Sequence, residues 1–179
     1  MDWITSDIHL NHANILKYSP DTRPYESVEE MNTSLVEQCN ALIAPDDTLY
    51  ILGDVIMGNV VRGLDLLEQM NGQKILIIGN HDRANLKNER FVNCFKEIHE
   101  YLMIKVDKTK VVLFHYPIFE WDAMHYGSVH LHGHTHQNLT GLEEYRVRNV
   151  GIDATGQFAV PLADIVANAK TGKIRPRCE

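Results

Sequence analysis

Ile75-Leu76-Ile77-Ile78-Gly79-Asn80-His81-Asp82 is a run of four apolar residues that ends in a glycine, an amide, an imidazole and a carboxylate. A short apolar run bounded by a turn signal reads as a buried strand, and the polar residues after it lie at the strand's carboxyl end. The same grammar recurs along the chain. Trp3-Ile4-Thr5 precedes Ser6-Asp7, Leu49-Tyr50-Ile51-Leu52 precedes Gly53-Asp54, Val111-Val112-Leu113-Phe114 precedes His115, and Val129-His130-Leu131-His132 precedes Gly133-His134. In open α/β sheets ligands bind at the carboxyl edge of the strands, so this set of polar turns predicts a site there.

Helical signals separate the strands. Ser27-Val28-Glu29-Glu30 has capping-box spacing, and Met31, Leu35, Cys39 and Leu42 follow at helical intervals, which predicts a helix over Ser27 to Ile43. A second amphipathic helix is expected over Val60 to Met70, closed by Asn71-Gly72, and a third over Asn85 to Phe95. Glu97 to Asp107 and Lys110 to Phe114 read as strands joined by a tight turn at Lys108-Thr109, Tyr145 to Val150 as another strand, and Pro161 to Ala169 as a last helix with proline at its start. Strand-helix alternation followed by hairpin-rich sequence predicts an α/β domain of mixed sheets with helices outside.

The 179 residues are one domain's worth, with no internal repeat and no linker. A composition of 44% hydrophobic and 23% charged residues excludes collagen-like, coiled-coil and disordered classes. The net charge of −7 argues against a protein that holds a long nucleic acid by neutralising phosphates with Lys and Arg. Cys39, Cys94 and Cys178 are odd in number and lack metal-type spacing, which points to a reducing, cytoplasmic setting. No apolar stretch approaches the ~18 residues of a membrane span, so no membrane partner is expected. With a first strand expected from about Trp3, there is no room for a signal sequence.

Asp7, His9, Asp54, Asn80, His81, Asp82, His115, His134 and His136 all fall just past apolar runs. Imidazole, carboxylate and amide oxygen without thiolate suit Mn, Fe, Co, Ni or Zn better than the all-oxygen cage of Ca or Mg. So many donors exceed what one ion with an open position uses, and fit two ions sharing a bridging carboxylate. Spacing alone leaves open which residue serves which ion.

Asp-x-His at Asp7 to His9, Gly-Asp at Gly53 to Asp54, Gly-Asn-His-Asp at Gly79 to Asp82, the strand-end His115 and Gly-His-x-His at Gly133 to His136, in that order, resemble the calcineurin-like metallophosphoesterase superfamily, in the compact form of its small bacterial and phage members. The resemblance implies a four-layer α/β/β/α sandwich of two mixed sheets flanked by helices, as a single domain over 1–179. It implies that Asp7, His9 and His136 hold one divalent ion, manganese foremost, that Asn80, His115 and His134 hold a second, and that Asp54 bridges them. His81 would then act on the leaving group or phosphoryl oxygen, with Asp82 fixing its tautomer from behind. The implied reaction is hydrolysis of a phosphodiester or phosphomonoester by a hydroxide bridging the two ions, with a small molecule or nucleotide as substrate. A nuclease or protein phosphatase of the same superfamily, or a non-catalytic metal-binding interaction module, are the alternatives.

Further residues enter as candidate substrate contacts. His12 could face the phosphate from the first loop, Arg83 could clamp a phosphate oxygen, and Trp121, within the aromatic segment Tyr116 to Gly127, could stack on a planar leaving group. Arg23 and Lys17 could reach the site from the first loop but read as solvated loop charges, His130 and His132 as residues that pack or support the ligands without coordinating, Cys39 and Cys94 as core, and Cys178 as tail. Gly53, Gly79 and Gly133 precede candidate ligands, where the backbone must turn and approach closely.

Overall fold

The computed structural model describes residues 1–176, so the expectation for Cys178 lies outside the described residues. In chain order the elements are β1 (Asp2–Thr5), α1 (Ile15–Tyr18), α2 (Val28–Leu42), β2 (Thr48–Ile51), α3 (Val60–Leu67), β3 (Gln73–Ile77), α4 (Glu89–Asn93), β4 (Glu97–His99), β5 (Tyr101–Val106), β6 (Thr109–Phe114), β7 (Val129–His132), β8 (Val147–Asn149), α5 (Ile152–Thr155), β9 (Val160–Pro161) and α6 (Leu162–Ala169). The first sheet runs β4-β3-β2-β1-β9 and the second β5-β6-β7-β8. β1 to β4 are mutually parallel with β9 antiparallel at the edge; β6, β7 and β8 are parallel with β5 antiparallel.

Side-chain alternation divides the core. Ile4, Ile75 and Ile77 of the first sheet meet Val111, Leu113, Val129 and Leu131 of the second, with Leu162 and Val166 of α6 closing the same cluster. Leu49, Ile51 and Leu76 point the other way, onto Met31, Leu35 and Cys39 of α2, Leu64 and Leu67 of α3 and Phe91 of α4. Each such fully buried side chain contributes about 1.5–3 kcal/mol. The result is two mixed sheets packed face to face and flanked by helices. The outer face of the second sheet is covered by Trp121, Met124 and Leu142 over Val112 and Val147.

Each anticipated strand-end run is a strand, and α2 starts at its predicted cap, where Ser27 Oγ accepts from Glu30 N at 3.1 Å. Several boundaries differ from expectation. Glu97 to Asp107 is two strands in different sheets, because the chain crosses from β4 to β5 at Glu100. Asn85 to Phe95 divides into a 3₁₀ turn and α4, because the Asn88 side chain accepts from Arg90 N at 3.0 Å and opens a new helix. The hairpin turns at Asp107-Lys108, one residue early, with Asp107 at φ 53°. α3 ends at Leu67, and Pro161 pairs with Trp3 as part of β9 before α6 begins.

Candidate metal centre

The parallel strands of both sheets deliver their carboxyl ends to one edge, and backbone hydrogen bonds lock the loops there. Asp7 N donates to Gly53 O at 3.0 Å, His9 N to Asp54 O at 3.0 Å, and a bridge between Ser6 and Gly151 ties the end of β1 to the segment after β8. A Cβ on Gly79 would lie 2.3 Å from Asp54 Oδ1, and one on Gly133 would lie 1.9 Å from Ser6 Oγ, so only glycine permits these approaches. Asp7, His9, Asp54, His134 and His136 are five of the eight non-glycine residues with positive φ among the described residues. Each such backbone costs on the order of 1–3 kcal/mol, a strain that accumulates where loops must aim side chains at a common point.

What they aim at is two donor groups. Asp7, His9 and His136 offer ligand atoms within 4.8 Å of one another, and Asp54, His115 and His134 do the same. Asn80 Oδ1 joins the second group, 3.0 Å from His115 Nε2. Asp54 Oδ1 accepts from His81 N at 3.0 Å, while its Oδ2 lies 3.9 Å from His9 Nε2 and 3.6 Å from His115 Nε2, between the two groups. Asp7 Oδ2 accepts from His134 N at 2.9 Å, whereas buried Asp7 Oδ1 and both ring nitrogens of His9 have no hydrogen-bond partner. Orphaned buried donors and acceptors of this kind need a partner, and a divalent cation fits an oxygen and an imidazole nitrogen left facing each other. Burial, with help from the neighbouring His136, lowers the His9 pKa to about 2, so its ring is neutral and able to coordinate.

The surrounding shell separates the two groups. His115 Nδ1–H donates to the Leu52 carbonyl at 2.6 Å, which leaves Nε2 with its lone pair toward Asp54. His136 Nδ1 instead meets the buried carboxylate of Asp153 at 2.6 Å. Asp153 Oδ1 accepts from Arg23 Nε and from Thr22 Oγ1, both at 2.7 Å, and Arg23 Nη2 donates to Asp7 O at 2.8 Å. Burial works against charge on Asp153, but its bonds from His136 and Arg23 hold the carboxyl well below the usual range. The same contact raises His136.

Several expectations need correction. Asp82 does not hold the His81 ring: its carboxylate accepts from Asp54 N at 2.8 Å, Val55 N at 3.0 Å and Gly79 N at 2.9 Å, and so clamps two ligand loops together. Trp121 is buried against Met124 and Leu142, with Nε1 donating to Ser128 O at 3.4 Å, and faces the core. Arg83 forms an exposed pair with Glu100 at 3.1 Å, because its side chain runs along the surface toward the β4–β5 crossing. Arg23 is a buried brace and no solvated charge, whereas Lys17 is exposed. His12 does lie at the site, its ring 5.3 Å from that of His9. His81 follows, with its side chain 43% exposed and Nε2 3.9 Å from Asp54 Oδ2. Asp153 was missed; it follows Gly151 at the end of β8, the same signal that marks the other loops.

Residues 3–160 match the model of the calcineurin-like phosphoesterase superfamily domain. The chain belongs to that superfamily. An uncharacterised protein of Methanocaldococcus jannaschii is 32% identical over 181 residues, 96% of this chain and 93% of the relative. The gene 66 protein of Mycobacterium phage L5 is 28% identical, covering 87% and 88% of the two chains. A solved structure of a protein of unknown function from Aquifex aeolicus has the same fold, with a TM-score of 0.69 at 24% identity over 86% of this chain and 90% of that one. A phosphoesterase superfamily member with two His/Asp groups able to hold metal ions is thus established by family and geometry together. Among the described residues, no helix is long and apolar enough to cross a membrane.

Proposed function

We propose that this protein hydrolyses a small phosphodiester or phosphomonoester, with one divalent transition ion on Asp7, His9 and His136, a second on Asn80, His115 and His134, and Asp54 shared. The observation that carries this reading is the position of Asp54 Oδ2, within 3.9 Å of a donor nitrogen in each group. Divalent ions bound there supply a nucleophile from water at neutral pH and neutralise the phosphoryl oxygens.

The chain's own part is orientation and proton transfer. Strained loops fix the donors before substrate arrives, so little reorganisation accompanies the reaction. His81 approaches Asp54 while its ring stays open to the cleft, a position from which Nε2–H can donate to the departing ester oxygen, worth about 10² to 10⁴ in rate. Asp82 holds the His81 loop against the Asp54 loop, and so acts on geometry alone.

The test is hydrolysis of a bis-aryl phosphodiester and the matching aryl monoester by metal-stripped protein repleted with Mn²⁺, Ni²⁺, Zn²⁺ or Mg²⁺. Turnover should require metal and vanish, with loss of bound ions, in Asp54→Asn. His81→Ala should keep both ions and lose rate, least with the best leaving group. No turnover with any ion, despite two bound per chain, would overturn the reading in favour of a binding module.

A further inference from the structure

Two of the donor histidines, His9 and His136, open onto a cleft of about 510 Å³, within the range of small-ligand sites. Its lining includes His9, His81 and His136 on the metal side, and Ile15, Tyr18 and Met57 beyond them. Their rings form a continuous row: His136 stacks on His9 at 5.2 Å, His9 meets His12 at 5.3 Å, and Tyr18 sits edge-on to His12 at 6.4 Å. Tyr18 is therefore joined to the donors by a single intervening ring.

Two features of this cleft are unusual for the molecule. Although the chain carries 17 Lys and Arg and 24 Asp and Glu, none of those among the described residues lines it. Phosphoryl charge is met on the metal side, and the rest of the cleft offers neither a cation for a second phosphate nor a carboxylate that would repel the first. Tyr18 is also 73% exposed, a large aromatic left in water on the short helix α1, which the buried Ile15 anchors. Tyr116 lies edge-on to His115 at 4.9 Å and to His134 at 4.7 Å but is half-buried and outside this cleft. Trp121 is in the core, and the Phe119 ring is covered by the Arg175 guanidinium at 3.1 Å.

We propose that this cleft selects a phosphoester bearing one uncharged, planar group of nucleobase size, which stacks on Tyr18 while the phosphoryl group meets the donor histidines. This rests on the phosphoesterase reading and narrows it to mononucleotide-type esters over polynucleotides, sugar phosphates and phosphoproteins. Stacking tolerates any flat ring, so selection is for planarity more than for one base. Ile15 and Met57 extend the apolar surface, and a thioether adapts to rings of different outline.

The test uses the full-length, metal-loaded protein with AMP and ribose 5-phosphate, each as the monoester and as its methyl diester. Within a pair the phosphoryl group and departing oxygen are identical, and only the base differs. Within the ester class turned over, kcat/KM for the base-bearing member should exceed the other by about 5- to 150-fold. Tyr18→Ala should bring that ratio close to one, and Tyr18→Phe and Tyr18→Trp should restore it. Equal turnover of both members by the unmodified protein, or an equal loss for both in Tyr18→Ala, would overturn the proposal. So would turnover of the bis-aryl diester with neither pair accepted, an outcome that leaves the phosphoesterase reading standing. Stacking is also read without catalysis, as broadening of the AMP base-proton resonances by metal-free protein. Broadening lost in Tyr18→Ala is expected, and broadening unchanged by that variant would overturn the proposal whether or not any ester is hydrolysed.

Discussion

The two donor groups meet at Asp54 Oδ2, 3.9 Å from His9 Nε2 and 3.6 Å from His115 Nε2, and sit on loops of the same strained kind, yet they are braced by different physics. Around Asp7, His9 and His136 the support is a buried ion pair, Asp153 with Arg23 at 2.7 Å, whose two ends touch the His136 ring and the Asp7 backbone. Around Asp54, Asn80 and His115 the support is neutral at the rings, a Leu52 carbonyl on His115 Nδ1, and the buried charge of Asp82 is spent on backbone amides. A carboxylate behind an imidazole raises its basicity as a ligand, whereas a carbonyl chiefly fixes its tautomer. One half of the centre is thus tuned by charge and the other by rigidity, and substitutions should separate the two.

The largest effect is expected on the charged side. Asp153→Asn leaves Arg23 buried without its counter-ion, which should cost about 3–5 kcal/mol by denaturant unfolding. It should also weaken metal binding to the Asp7, His9 and His136 group by about 10- to 100-fold, with the other group little changed, in competition against a chelating dye. Pairing it with Arg23→Met removes the orphaned charge. The double variant should regain stability and keep the metal defect; full recovery of metal affinity would show that Asp153 serves the fold alone. Asp82→Asn tests the rigid side. An amide cannot accept from all three backbone N–H groups, so a loss of about 2–3 kcal/mol is expected, with metal affinity falling in both groups because the Asp54 loop loosens. Unchanged stability would break the assignment of Asp82 as a clamp.

What could be read in advance follows the same division. Asp7, Asp54, Asn80, His115 and His134 each stand directly behind an apolar run, because parallel strands in a covered sheet must be apolar and must then turn. Asp153 and Arg23 escaped that rule for physical reasons. The strand expected over Tyr145 to Val150 is only Val147–Asn149, two of its three residues polar, so although Gly151 follows it no apolar run singles out Asp153 as a strand-end donor. Arg23 lies in an irregular loop whose composition looks solvated, and only the fold brings Asp153 across to it. Trp121 and the Glu100 crossing failed alike: aromatic content does not say which face of a sheet a loop will cover, and no Gly or Pro marks where one extended run changes sheets.

His130 gives the smallest and sharpest contrast, because it is a histidine near the site with no carboxylate. Its ring nitrogens face the Val112 and Tyr116 carbonyls beneath Trp121, and burial, with the neighbouring His132, lowers its pKa to about 3. His136, six residues on, is raised by Asp153. In the unfolded chain a histidine titrates near 6.5, so between about pH 6.5 and 3 the unfolded state holds a proton at position 130 that the folded state excludes. Folding stability therefore falls as pH is lowered through that window, by up to about 1.4 kcal/mol per pH unit from this one group. The difference in slope between the unmodified protein and His130→Gln, from urea unfolding at successive pH values, isolates that contribution from other groups. A shallower acid limb in the variant is expected. Parallel limbs would mean that His130 takes up a proton in the folded state as readily as in the unfolded one, and that the layer under Trp121 is wetter than its packing indicates.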